Sequence, residues 1–393
     1  MSKKTIRDIK LAEKRVLVRV DFNVPVKEGK ILDDTRMRRA LPTLNYLREQ
    51  GAKIILMTHL GRPKGQVVPE MSVQLLVPHL SELVGQKVLF GADCGGPESQ
   101  KIAAELQPGQ IAILENVRFY PGEEKNDLDF AKGLAALGEV YVNDAFGTAH
   151  RAHASTEGIT RFLPAVSGFL MEKEISALSE ALENPAQPFA VILGGAKVSD
   201  KITVIENLLK KAAYLLIGGA MAHTFLKAQG YELGASKVEE EHLETAKKLL
   251  KKAEASGVHI LLPQDVVAAE EFSAEAAGKV YAVGEVPENS IALDIGPQTV
   301  EAFKLVIAKA KTIVWNGPLG VYEFPQFATG TNEIAQAAAA ASGKTIIGGG
   351  DVVAAVEKSG QADAIYHIST GGGASLEFLE GKVLPGVAAL LDK

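Results

Sequence analysis

Short apolar runs alternate with longer helical patterns along the whole chain, and the runs carry almost no polar residue on either face. A strand that is apolar on both faces must be covered on both faces, as in a parallel sheet flanked by helices. The runs fall at 16–20, 53–58, 88–90, 111–114 and 140–143, and again at 189–193, 213–217, 259–262, 312–315 and 345–347. Helical stretches separate them, for example at 36–50, 127–137, 201–210, 239–255 and 332–341. This alternation predicts a doubly wound α/β architecture, formed twice. A chain of 393 residues exceeds one ordinary core, in keeping with two domains. Residues 171–182 read as a connecting helix, stopped by Asn184-Pro185-Ala186-Gln187-Pro188. The expected domains are therefore 1–170 and 186–380, with 171–185 between them.

The two halves differ in how they can grip an anion. All eleven arginines lie between Arg7 and Arg161, whereas glycine clusters follow later: Gly194-Gly195, Gly218-Gly219, Gly348 to Gly350 and Gly371 to Gly373. Arginine offers a rigid fork of donors to carboxylate or phosphate. Glycine lets bare backbone N–H groups approach a phosphate at a helix N-terminus. Residues 1–170 carry 23 Lys+Arg against 20 Asp+Glu, a net of +3, and the remainder carries 19 against 28, a net of −9. That balance lacks the dense basic stripe of a nucleic-acid-binding protein and suits a small anionic substrate. Cys94 is the single cysteine, which excludes an intrachain disulfide and suits a reducing compartment. The first residues form no apolar signal segment, and no apolar stretch reaches membrane-spanning length, so a cytoplasmic protein is expected.

In an open α/β sheet ligands bind beyond the carboxyl ends of the strands. The first four such ends lead into Asp21-Phe22-Asn23-Val24-Pro25, His59-Leu60-Gly61-Arg62-Pro63, Glu115-Asn116-Val117-Arg118-Phe119, and Asp144 through His150-Arg151-Ala152-His153. Converging, Arg36, His59, Arg62, Arg118 and Arg151 would form a cationic basket in which Asp21 and Asn23 accept from a substrate hydroxyl. Structural pairing of Arg62 or Arg118 with Asp21 or Glu115 is the competing account. The other seven arginines read as solvated surface residues. His150 and His153 read equally well as ordinary loop histidines, since two such ligands do not complete a metal site.

In the second half, Gly194-Gly195-Ala196-Lys197-Val198-Ser199-Asp200-Lys201 reads as a glycine turn opening a helix, with Lys197 and Lys201 on one helical face beside phosphates. Gly348-Gly349-Gly350-Asp351 reads as another, where Asp351 serves either as an N-cap or as a ligand for Mg²⁺. Gly371-Gly372-Gly373 forms a further anion nest, and Glu323, after Trp315-Asn316-Gly317-Pro318, suits ribose hydroxyls. Neither a Walker A spacing nor a GxGxxG after the first strand is present.

In this order, Arg19-Val20-Asp21-Phe22-Asn23-Val24-Pro25, His59-Leu60-Gly61-Arg62-Pro63, Glu115-Asn116-Val117-Arg118-Phe119, the run from Asn143 to His153, Gly194 to Val198, Trp315-Asn316-Gly317-Pro318, Gly348 to Asp351 and Ser369 to Ala374 resemble the phosphoglycerate kinase family over essentially the whole chain. The resemblance implies two Rossmann-like domains joined by a helix, with residues 381–393 packing back on the first. It implies 3-phosphoglycerate on domain 1–170, held by Asp21, Asn23, Arg36, His59, Arg62, Arg118 and Arg151. It implies ATP or ADP on domain 186–380, near Lys201, Gly218, Gly219, Gly296, Asn316, Glu323, Gly349, Gly350, Asp351, Val352, Gly372 and Gly373. Asp351 would hold Mg²⁺, and Arg36, Lys197 and Lys201 would be catalytic, Arg36 and Lys197 flanking the transferred phosphoryl. A monomer is implied as well. One position departs from the family, which commonly has Ser or Thr after Gly-Gly-Gly-Asp where this chain has Val352.

The implied reaction moves a phosphoryl group reversibly between 1,3-bisphosphoglycerate and MgADP, as the lobes close. The acceptor in the reverse direction is a carboxylate, already ionised at neutral pH, so no general base is expected. Two alternatives use the same frame. One is a nicotinamide dehydrogenase, disfavoured by the missing GxGxxG, and the other is a non-catalytic anion-binding protein, disfavoured by the Lys197, Lys201 and Asp351 set.

Overall fold

The computed structural model describes residues 2–393. Its first sheet contains β1 (Arg15–Val20), β4 (Lys53–Met57), β5 (Leu89–Gly91), β6 (Ile111–Leu114), β7 (Val140–Asp144) and β8 (Ala165–Ser167). A small antiparallel hairpin, β2 (Val26–Lys27) with β3 (Lys30–Ile31), follows the first strand. The sheet order is β5-β6-β4-β1-β7-β8, and every pairing is parallel. The chain starts at the centre with β1, builds outward to one side through β4, then crosses to the other through β7. That reversal opens a crevice at the carboxyl ends of the central strands.

The second half repeats the plan. Its sheet joins β9 (Phe189–Leu193), β10 (Tyr214–Ile217), β11 (His259–Leu261), β15 (Thr312–Asn316), β16 (Lys344–Ile347) and β17 (His367–Ile368), in the order β11-β10-β9-β15-β16-β17, again all parallel. All five residues of β9 are buried, as continuous apolar character demands of a central strand covered on both faces. Between β11 and β15 the chain adds an antiparallel sheet in the order β13-β12-β14, from β12 (Asp265–Ala269), β13 (Lys279–Ala282) and β14 (Ile291–Ile295). Sequence reading missed this sheet, because its strands are short and β13 is largely exposed, leaving little apolar signal.

The chain divides into two compact units, one running to Ser176 and taken up again at Val383–Lys393, the other spanning Ala177–Lys382. The division falls inside the helix Phe169–Glu183, which starts two residues before the expected one and ends one residue after it. The C-terminal residues pack on the first unit: Gly386 N donates to Ala149 O at 2.8 Å, Leu391 N to Ala165 O at 3.0 Å, and Lys3 pairs with Asp392 at 2.8 Å. Each unit has its own apolar core, one around Val16, Val18, Leu44, Leu56 and Val142, the other around Ile192, Phe303, Trp315, Ile334 and Val356. Each such side chain contributes roughly 1.5–3 kcal/mol by leaving water.

Candidate active site

In the first unit the polar residues after β1, β4, β6 and β7 are tied to one another. Arg36 opens the helix Thr35–Glu49, and its Nη1 donates to Asp21 Oδ2 at 2.8 Å. Asn23 Oδ1 accepts from Gly61 N at 2.8 Å, while Arg118 Nη1 donates to Gly61 O at 3.1 Å. The loop carrying His59 is thereby held from two sides. Arg118 sits in the turn Val117–Phe119, set by Asn116, whose Oδ1 accepts from Arg118 N at 3.0 Å. Arg118 is buried, and its Nε has no hydrogen-bond partner. Glu124 Oε1 lies 3.5 Å from that nitrogen. A buried, half-used guanidinium is a donor set waiting for an anion.

Burial, then the Arg19, Arg118 and Arg36 guanidiniums, hold His59 well below the ordinary imidazole range. Burial, with Arg118, Arg19 and Arg151 beyond it, pushes His153 down to about 4. Both rings are therefore neutral at pH 7 in a field made by cations. The structure thus brings Arg36 and Arg118 within electrostatic reach of His59, beside Asp21 and Asn23, and Arg151 within reach of Arg118. Arg151 is exposed and its Nε donates to His150 Nε2 at 3.2 Å. Arg62 is also exposed and forms no ion pair among the described residues.

Three readings of the first half are corrected here. Asp21 pairs with Arg36, so it is not the partner of Arg62 or Arg118. Glu115 is used up elsewhere, accepting from Ser72 Oγ at 2.7 Å and Val73 N at 2.8 Å. Arg19, counted among the surface arginines, is fully buried. Its position in β1 points it into the layer beneath the loops, and single-residue propensity carries no sign of that.

In the second unit the ends of β9, β10 and β15 are laced backbone to backbone. Gly194 N donates to Asn316 O at 3.0 Å, Gly195 N to Pro318 O at 2.9 Å and Gly219 N to Leu319 O at 3.0 Å. Gly219 has φ +65°, and a Cβ there would lie 2.8 Å from Gly195 N, so no other residue fits. Part of the glycine signal is therefore close packing of loops. Above this floor lies a pocket of about 410 Å³, lined by Gly195, Gly219, Pro318, Glu323 and Asp351 together with an apolar wall that includes Phe272 and Leu293. That wall belongs to the antiparallel sheet and its loops, so sequence reading missed it. The strand signal just before Gly296-Pro297 was the available clue.

Lys201 Nζ donates to Asn316 Oδ1, and Asn316 Nδ2 donates to Gly348 O at 2.5 Å. Gly349 lies against the same amide, and Asp351 and Glu380 act electrostatically on Lys201, whose affinity for its proton is lowered by burial. Lys201, Asn316, Gly349 and Asp351 thus come together. Lys197 is exposed, without an ion pair among the described residues. Gly218, Gly350, Gly372 and Gly373 stand at loop ends and do not line the pocket, and Gly296 is buried at the start of the helix Pro297–Ile307.

Two readings of this half are also corrected. The helix after β9 is Ile202–Leu208, so Lys197 lies in the preceding loop and does not share a helical face with Lys201. Ser199, inside that loop, is held by Glu239, which accepts from its Oγ at 2.6 Å and its N at 3.1 Å. The helix Gly350–Lys358 has Gly349 as its N-cap and no side-chain cap, so Asp351 is free of the capping role. Its exposed carboxylate lines the pocket beside backbone N–H groups, which fits a hard cation that shares its ligands between one carboxylate and phosphate oxygens.

The family model described as phosphoglycerate kinase matches residues 6–382. A phosphoglycerate kinase of Moorella thermoacetica is 57% identical over 393 residues, covering all of both chains. One of Roseiflexus sp. is 60% identical over 394 aligned positions, with the same full coverage. Among solved structures, a phosphoglycerate kinase from Coxiella burnetii superposes with a TM-score of 0.92 at 43% identity, covering 98% of each chain.

Proposed function

The chain belongs to the phosphoglycerate kinase family, and on that premise we propose how its residues divide the work of the family's ATP-generating glycolytic reaction. It is an enzyme that transfers a phosphoryl group with a carboxyl group as acceptor. The first unit binds 3-phosphoglycerate or 1,3-bisphosphoglycerate, and the second binds ADP or ATP. The observation that supports this most is the cationic cluster around His59, in which Arg118 keeps a buried nitrogen without a hydrogen-bond partner. Asp21, Asn23, His59, Arg62, Arg118 and Arg151 hold the small acid. The pocket beside Gly195, Gly219, Glu323 and Asp351 takes the nucleotide, with Lys201 and Asn316 toward its phosphates.

Arg36 and Lys197 neutralise charge on the transferred phosphoryl, and Lys201 assists from the nucleotide side. Asp351 would hold Mg²⁺, which when bound supplies charge neutralisation to the phosphate oxygens. The acceptor carboxylate is ionised at neutral pH, so proton abstraction forms no part of the step and no side chain acts as general base. The two substrates must be brought in line with water excluded, which calls for movement of the two units on each other during turnover. A cytoplasmic monomer without a nucleic-acid or membrane partner completes the reading. Among the described residues no helix is long and apolar enough to cross a membrane.

A coupled assay of ATP-dependent phosphorylation of 3-phosphoglycerate tests it. Turnover that requires Mg²⁺ and 3-phosphoglycerate together is the expected result, and absence of turnover with both substrates present overturns the reading.

A further inference from the structure

Beneath the cationic cluster lies a hydrogen-bonded chain that the reaction as described does not use. Glu123 is fully buried and accepts from Ser155 N at 2.9 Å and, at its other oxygen, from Ser155 Oγ at 2.5 Å. Ser155 Oγ in turn accepts from Arg19 Nε at 2.9 Å. Arg19 is itself fully buried; its Nη1 donates to Val20 O at 2.5 Å and its Nη2 lies 3.1 Å from His59 Nδ1. Every proton in this chain has one direction. The hydroxyl spends its single proton on Glu123, so it must accept from Arg19. A guanidinium has donors only, so His59 Nδ1 must accept from Arg19 and carries no proton. Burial and the Arg19, Arg118 and Arg36 charges, with His153 adding a smaller effect, keep the ring neutral. Its one proton then sits on Nε2, which has no hydrogen-bond partner within the chain and is not among the buried unpaired atoms.

We propose that Arg19, anchored by Ser155 and Glu123, is a positioning residue that locks His59 in the Nε2–H tautomer, so that this loop presents an N–H donor and never a lone pair to an anionic substrate. A neutral imidazole left to itself exchanges between two tautomers, one of which turns a lone pair toward the anion. A protonated ring would set an N–H against the Arg19 donor. The buried arginine removes both states. The tautomer follows from this geometry alone, whereas its consequence for substrate binding rests on the proposed 3-phosphoglycerate site.

The test begins with the unsubstituted full chain. Nitrogen-15 spectra of the imidazoles, with the His59 signals identified by comparison with His59→Gln, should show an unprotonated Nδ1 and a protonated Nε2 that do not titrate between about pH 6 and about pH 8. A proton on Nδ1, or on both nitrogens in that range, overturns the proposal, and this measurement needs no variant of the network to fold. The paired substitution Arg19→Met with Glu123→Gln keeps the interior charge balanced. There the His59 nitrogens should average or titrate, and calorimetric binding of 3-phosphoglycerate should weaken about tenfold at about pH 8. The deficit should shrink toward pH 6 as the freed ring protonates, while nucleotide binding is unchanged. A variant that keeps a fixed Nε2–H signal overturns the role of Arg19. Failure of the unsubstituted chain to bind 3-phosphoglycerate would instead strike the functional reading and leave the tautomer standing.

Discussion

Single residues in this protein answer to their surroundings more than to their type. Arg36 is held by Asp21 at the edge of the cationic cluster with its side chain part-exposed, so removing it disturbs little packing. Arg36→Ala should lower kcat by about a hundredfold, the scale of losing one transition-state donor, with the melting temperature nearly unchanged. Steady-state kinetics beside a thermal melt check this. Val352, where the family commonly has a hydroxyl residue, is fully buried within the second core. Its methyls do the work of an apolar side chain there. Val352→Ser should cost roughly 1–3 kcal/mol of stability with kcat within a few-fold of the parent, by chemical denaturation and assay. Asp294 is buried in β14, and burial pushes its carboxyl up to about 7, against hydrogen bonds from Gly330 and Ile295 that favour the charged form. Its folded-state value lies above the unfolded one, so its stabilising influence is complete below about pH 4 and is lost as pH rises through about 7. Asp294→Asn should flatten the fall in unfolding free energy between about pH 4 and about pH 7, a slope of at most about 1.4 kcal/mol per pH unit from one group. Asp144, pushed up to about 7 by burial in the first unit, leaves a residual slope.

At the scale of elements, the legible parts were those whose signal is local. β1, β4, β6, β7, β9 and β15 announced themselves because a central parallel strand must be apolar on both faces. The segments β12 to β14 did not, since an antiparallel sheet with an exposed edge strand carries only a broken alternation. The lysines between β9 and Ile202 have helical spacing, yet with Gly195 at φ +106° and Ser199 bonded to Glu239 the segment is a loop of bends and turns. That anchor is testable. Glu239→Ala should free the segment that carries Lys197 and Lys201 and raise the KM for ATP about three- to tenfold, with the KM for 3-phosphoglycerate unchanged. Equal changes in both KM values would argue for general destabilisation.

At the scale of the molecule, the first unit is discontinuous: its last strand-like contacts come from Val383–Lys393, after the whole second unit has been traversed. Gly386 packs on Ala149, one residue before His150 and Arg151, and Asn143 Nδ2 donates to Gly386 O at 3.2 Å. Truncation after Lys382 should therefore destabilise the first unit by about 2 kcal/mol or more, since it strips apolar cover and several backbone hydrogen bonds at once. It should raise the KM for 3-phosphoglycerate, as read by calorimetry and kinetics on the shortened chain. The sequence by itself determined the two parallel sheets, the strand ends that carry Asp21, His59, Arg118 and Arg151, and the glycine loops, because each depends on periodicity or backbone freedom over a few neighbouring residues. Only the tertiary structure decided that Arg19 turns inward to His59, that Asp351 is no cap, and that Glu115 is taken by Ser72 and Val73. Those outcomes depend on which distant groups burial brings within a few ångströms of a charge, and no local pattern records that.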